Sequence, residues 1–189
     1  MSTVELWCDG ACSGNGRESS AGGWAAVLIS GRPVACAEAD SAAGEIEREI
    51  KSLAEGGLSE PGSVSVDVGA GTGPVRAKAI WGNESPSTNN RMEMMGLLEG
   101  LRALKGPTHV RAHVDSLYLM KAFTDRWLDG WQRRGWVNSQ KKPVANRDLW
   151  EELLVAAEPH RLDFTYVPGH SGVVLNELVD QLAVAAVRR

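Results

Sequence analysis

Cysteine is scarce: the 189 residues contain three, Cys8, Cys12 and Cys36. An odd number cannot pair completely, so a disulfide framework is not expected and a reducing compartment is. The opening "MSTVELWCDG" has no basic segment followed by an apolar stretch, so no secretory signal is expected. No apolar run approaches the roughly 20 residues that a membrane span needs. Strong net charge is also missing, at −4 overall, which taken alone speaks against a polyanionic partner. These absences predict a soluble, cytoplasmic monomer with no membrane partner.

What is present suits one α/β domain over residues 1–189, with 43% hydrophobic and 23% charged residues to build a core and a surface. The charge is unevenly spread. Between Arg126 and Arg147 six bases (Arg126, Arg133, Arg134, Lys141, Lys142, Arg147) face one acid, Asp129. Local patches decide polyanion binding, whatever the mean. From Glu38 to Lys78 the balance reverses, with eight acids against four bases, so that stretch is not expected to grip nucleic acid.

"TVELWCDG" reads as a short strand closing on Asp9, and the polar turn "GACSGNGRESSAGG" leads to the strand "WAAVLIS". "PVRAKAIWGNE" completes an antiparallel meander. A helix is predicted from about Asn90 to Lys105, stopped by Gly106-Pro107. "HVRAHVD" is a strand closing on Asp115, and Ser116 caps a helix through "SLYLMKAFTDRWLDGW". After a basic, Trp-rich loop come a helix around "RDLWEELLVAAE", the strand "RLDFTYVPG" and the helix "LNELVDQLAVAAV". The order βββ-α-β-α-α-β-α predicts a mixed sheet flanked by helices. Residues 37–75 or so break this rhythm. They hold an amphipathic turn or two (Ile46, Ile50, Leu53) and a β-like "SVSVDV", and read as a surface insertion between the second and third strands. The Gly-rich "GAGTGPVRAK" and "GNGRESSAGG" fit neither phosphate-binding pattern and are loops.

In "STNNRMEMMGLLEGLRALKG" the residues Met94, Leu97, Leu98, Leu101 and Leu104 form one helical stripe. Glu93 falls to one flank, with Gly96 and Gly100 leaving space beside its carboxylate. Alone it is an N-terminal acid favoured by the helix dipole. Asp9 and Asp115 each close a β run, and Asp180 shares a helix face with Asn176 four residues before it. Singly, each has an ordinary structural explanation. Four acids at the ends of separate elements suggest one site for a hard cation, Mg²⁺ or Mn²⁺, because clustered carboxylates repel and oxygen-only donors suit such ions.

"WCDGACSGNG", "TNNRMEMMGLLEGLRAL", "HVDSLYL", "WLDGWQRRGWVNSQKKPVANRDLW" and "YVPGHSGVVLNELVDQLA" resemble, in order and spacing, ribonuclease HI. The resemblance covers nearly the whole chain except the insertion. It implies an α/β ribonuclease H-like fold with a five-stranded mixed sheet, three antiparallel strands then two parallel. It implies that Asp9, Glu93, Asp115 and Asp180 are catalytic metal ligands for two Mg²⁺ ions, with Mn²⁺ as the alternative and Asp9 shared between them. The implied activity is hydrolysis of the RNA strand of RNA–DNA hybrids, leaving 5′-phosphate and 3′-hydroxyl ends. His170, between glycines in "PGHSG", matches the family's catalytic loop histidine, a proton shuttle or aid to product release, with Asn176 as its orienting partner.

The segment at about 126–147 resembles the family's basic protrusion. Arg133, Arg134, Lys141 and Lys142 would meet DNA phosphates, and a tryptophan, Trp127 or Trp131, would pack against deoxyribose; the plain alternative is that the tryptophans are core. Asn15, Thr88, Asn89 and Asn90 match groove positions that sense the RNA 2′-hydroxyl. Leu117 departs from relatives that carry Gln there. The alternatives are a DNA-directed nuclease of the same fold, resolvase- or integrase-like, and a non-catalytic hybrid-binding module. For the 37–75 insertion the readings are a surface excursion or a protein-partner site.

Overall fold

The computed structural model describes all of the chain except residues 15–19, 32–35, 55–57, 59, 71–72 and 188–189, with backbone alone at 36–40, 70 and 73. Six strands, β1 (Ser2–Cys12), β2 (Gly22–Ser30), β3 (Gly62–Ala70), β4 (Gly73–Glu84), β5 (Thr108–Val114) and β6 (Arg161–Tyr166), form one sheet. The helices are α1 (Cys36–Ala54), α2 (Asn89–Arg102), α3 (Leu117–Thr124), α4 (Trp127–Arg133), α5 (Arg147–Ala157) and α6 (Val174–Ala186). The strand order is β3-β4-β2-β1-β5-β6, with β5 parallel to β1, β6 parallel to β5 and the other pairs antiparallel.

The five-stranded expectation is corrected to six. The added strand, β3, comes from the insertion, where Val64, Val66 and Val68 alternate with Ser63, Ser65 and Asp67. Period-two β-branched residues suit a half-covered strand, and β4 offers them an edge to pair with. The amphipathic turn or two became the 19-residue helix α1. Its Ala42, Ile46, Ile50 and Ala54, four residues apart, are buried over Val66 and Val68 and beside Leu178 and Leu182 of α6. The insertion therefore contributes to a core and is more than a surface excursion. Leu53, expected on that apolar face, is 56% exposed.

Strand alternation divides the interior into two cores. Val4, Leu6 and Cys8 of β1 join Met94, Leu97, Leu98 and Leu101 of α2, with Trp131 and Trp150. Trp7 and Ala11 turn to the α1–α6 side. Gly96 and Gly100 do not leave space beside Glu93. A Cβ at Gly96 would stand 3.0 Å from the Ala25 carbonyl oxygen, and at Gly100 2.6 Å from Leu6 Cδ1, so α2 lies directly on the sheet. α2 stops at Arg102, short of Lys105. The single helix expected after Ser116 is two, α3 and α4, divided at Arg126, whose φ of 56° is left-handed.

Candidate active site

Asp9 lies within β1, which continues to Cys12 by pairing with β2; the expectation that Asp9 closes the strand is corrected. On its other side the pairing of β1 with β5 ends at Trp7 opposite His113. Two residues further along each strand stand Asp9 and Asp115, where the strands part. Glu93 arrives from the first turn of α2. Thr88 caps that helix in extended conformation and accepts a hydrogen bond from the Arg91 amide at 3.3 Å.

Gly10 allows the approach. A Cβ there would lie 2.3 Å from the Glu93 amide nitrogen and 2.4 Å from the Met92 carbonyl carbon. Both are backbone atoms and cannot swing aside. Gly10→Ala is therefore expected to part β1 from α2, costing about 1–3 kcal/mol in a denaturant melt. An unchanged melt in that variant would show that the contact is not needed.

The four acids act on one another electrostatically. The Gly10 amide donates to Asp9 Oδ1 at 2.6 Å, yet Asp9 is 6% exposed and its pKa is pushed up to about 8. Burial is the main cause, followed by the charges of Asp115, Asp180 and Glu93. Glu93 is also raised by burial and by Asp115, against hydrogen bonds from Ser116 and Asn89, the latter at 3.4 Å. Asp115 is raised by burial and Asp180, with His170 pulling the other way. Buried Cys8, beneath them, has its thiol pushed well up by burial and by three of these acids. Among the described residues no three His, Cys, Asp or Glu side chains form a finished metal-holding group. Asp9 carries the charges of Asp115, Asp180 and Glu93, and Asp115 that of Asp180, without an enclosed cage among the described residues.

That donor set fits a hard divalent cation. All four groups offer oxygen, and three have carboxylates whose charge the fold leaves uncompensated. His170 sits on the exposed loop between β6 and α6 with a left-handed φ of 53°, next to Gly169, where a Cβ would be 3.4 Å from Asp115 Oδ2. Asn176 is 3% exposed and its Oδ1 has no hydrogen-bond partner among the described residues.

The cap at Ser116 was expected; its bond to Glu93 and the ties of Arg91 were not. Ser116 both caps α3, accepting from the Leu119 amide at 3.3 Å, and hydrogen-bonds Glu93. Its adjacency to Asp115 was the available signal. Arg91 donates to both oxygens of Glu84 at 2.8 and 3.1 Å and pairs with Asp148 at 2.8 Å, tying the start of α2 to the end of β4 and the start of α5.

Of the groove residues, Asn15 lies outside the described residues, Thr88 and Asn89 are engaged with α2 as above, and Asn90 is exposed. Trp131 is buried, edge-on to Trp150 with centroids 5.6 Å apart, so its expected sugar contact is corrected: the ring belongs to the core. Trp136 is buried too, with the Arg147 guanidinium 5.6 Å from its ring centroid. Trp127 is half-buried. Arg133, Arg134, Lys141 and Lys142 are exposed and join no salt bridge among the described residues, whereas Arg126 and Arg147 pair with Asp129 and Glu151.

Comparison with known proteins places this arrangement. The family model for RNase H matches residues 54–188. The ribonuclease H of Symbiobacterium thermophilum is 38% identical over 187 residues, covering 99% of this chain and 96% of its own. That of Thermus thermophilus is 54% identical over 106 residues, 56% of this chain and 64% of its own. Among solved structures, LC9-RNase H1, a type 1 RNase H with the type 2 active-site motif, superposes with a TM-score of 0.70 at 26% identity, covering 99% of this chain and 72% of that one. The PFV RNase H domain, at 18% identity and a TM-score of 0.59 over 97% of this chain and 93% of its own, shares the fold. With the family model spanning most of the sequence and a relative 38% identical over 99% of this chain, the chain belongs to the ribonuclease H family.

Proposed function

We propose that this chain, as one catalytic domain over residues 1–189, hydrolyses the RNA strand of RNA–DNA hybrids endonucleolytically, leaving 5′-phosphate and 3′-hydroxyl ends. What supports the reading is that Asp9, on β1, is raised by the charges of Asp115 past the end of β5, Asp180 of α6 and Glu93 of α2. These residues would hold two divalent ions, Mg²⁺ with Mn²⁺ as substitute. Bound there, the ions supply the Lewis acidity that an in-line phosphodiester displacement needs. The Gly10 amide orients Asp9, while Ser116 and Asn89 orient Glu93. Buried Asp9 has little access to bulk water. His170, beside Asp115 on an exposed loop, is positioned to move a proton or help product depart.

Exposed Arg133, Arg134, Lys141 and Lys142 would follow the DNA phosphates, with Trp127 as the tryptophan left near the surface. Changing the four bases to serine should raise KM with little change in kcat. It should also flatten the plot of log(kcat/KM) against log salt by up to about 3. An unaltered slope would refute this assignment. Thr88, Asn89, Asn90 and Asn15 remain the proposed readers of the RNA 2′-hydroxyl.

The test is cleavage of an end-labelled hybrid with Mg²⁺, beside duplex DNA, duplex RNA and single strands. Cleavage of the hybrid's RNA strand alone, lost with chelator, is the expected result. Cutting of duplex DNA would favour a resolvase-like enzyme, and hybrid binding without cutting a binding module. His170→Ala should slow turnover by about a hundredfold at most, far less than Asp9→Asn. Equal losses would overturn that ranking.

A further inference from the structure

A cleft of about 530 Å³ opens between the sheet and α1, and its described lining includes none of the four acids. That size suits a small organic molecule. The cleft lies beside Ile46, Ala42 and Ala43, where α1 offers mostly small side chains to the strands below. Ile29 of β2 and Leu175 of α6 add apolar lining, and half-buried Trp7 of β1 completes it. The Trp7 indole lies flat on the His113 imidazole, with centroids 4.0 Å apart and planes 5° from parallel. Each ring stiffens the other, so the cleft has a firm aromatic wall.

The polar end is built by Glu5 of β1 with Arg111 and His113 of β5, neighbours on paired strands. His113 Nε2 meets Glu5 Oε2 at 2.7 Å, and Arg111 Nη1 donates to Glu5 Oε1 at 3.2 Å, so both carboxylate oxygens are taken. His113 and then Arg111 hold Glu5 below the usual carboxylate range, against its partial burial. Asp163, the other acid that feels Arg111, is joined to His109 at 2.6 Å. Arg111 is left with one long bond to a carboxylate that His113 shares, and its side chain is 52% exposed. A guanidinium carries a planar fork of donors that a carboxylate matches. A cationic ligand would meet Arg111 as a like charge, and a neutral one would answer its donors weakly. The apolar walls call for a hydrocarbon body, and the stacked rings for a flat one. We propose that this cleft binds a small aromatic monocarboxylate, its carboxylate on Arg111 and its ring between α1 and the sheet beside Trp7. The inference stands apart from the catalytic reading.

Calorimetric titration of the full chain with cinnamate should show one saturable site with a Kd of about 0.1–1 mM, ordinary for a ligand of that size. Arg111→Met keeps the apolar stem and removes the charge. It should weaken cinnamate binding about tenfold or more, and leave binding of cinnamamide, the neutral twin, unchanged. Arg111 is exposed and bonds Glu5 alone among the described residues, so hybrid cleavage by the variant should match wild type. Cinnamate that binds wild type and variant alike sits elsewhere, at the basic segment for example, and would overturn the proposal. So would an acid held no more tightly than its amide by wild type, or the lack of saturable heat up to about 10 mM.

Discussion

Asp9→Asn should abolish hybrid cleavage, by about 10³-fold or more, and at the same time raise the melting temperature of the cation-free protein. The first effect follows from removing a charged oxygen donor at the centre of the four acids, since each ~1.4 kcal/mol of lost transition-state stabilisation is a tenfold loss of rate. The second follows from the pKa of about 8, against an ordinary 3.8. The folded protein binds a proton at Asp9 more tightly than the unfolded chain does. Stability is therefore unpenalised below about pH 4 and falls as pH rises towards 8, where folding must bury an ionised carboxylate. At ~1.4 kcal/mol per pH unit the full penalty is bounded at about 6 kcal/mol, and the neutral amide removes it. The gain should be largest above pH 8 and vanish near pH 4. Saturating Mg²⁺ should narrow the difference by stabilising wild type alone. Wild-type and variant melting curves that coincide across that range would mean that Asp9 is not strained by its neighbours.

Ile50→Ala in α1 should cost about 2–5 kcal/mol, a large share of the 5–15 kcal/mol that holds an ordinary domain together. Ile50 is fully buried between β3 and α6, although it belongs to the segment that looked like a surface excursion. Glu49→Ala, one residue away on the exposed side, should stay within about 0.5 kcal/mol. Deleting residues 39–73 removes both α1 and β3 and uncovers Val75, Ala77, Ala79 and Trp81 on β4. Such a variant is expected to fail to fold or to melt far below wild type. It would also leave Leu178 and Leu182 of α6, the helix that presents Asp180, without α1 beside them. A deletion variant with unchanged melting temperature and unchanged hybrid cleavage would show that the insertion is dispensable after all.

Why the insertion was misjudged is physical. Its composition is acidic and rich in Gly, Ala and Ser, which reads as solvated loop. Two isoleucines and an alternating "SVSVDV" bury little on their own; they are worth burying only where β4 offers an edge and α6 a flank. The tryptophans of the basic segment were ambiguous for a similar reason. An indole interleaved with arginines suits a nucleic-acid surface and a core equally, and what decided for Trp131 and Trp136 was the position of Trp150 and of the Arg147 guanidinium.

Local signals carried much of the rest. Hydrophobic periodicity and capping residues located α2, α5, α6 and most strands to within a few residues, because those patterns act over one or two turns of chain. The ordered motifs named the family and nominated Asp9, Glu93, Asp115 and Asp180. Spacing could not say that β1 and β5 run in register, so that Asp9 and Asp115 stand level where the strands part. Nor could it say that Gly10 gives up its side-chain volume to the backbone of Glu93. The sequence by itself determined which residues could do the chemistry and which elements would carry them. Only the tertiary structure decided which carboxylates meet, which tryptophans are hidden and where the insertion goes, because those depend on contacts between residues far apart in the chain.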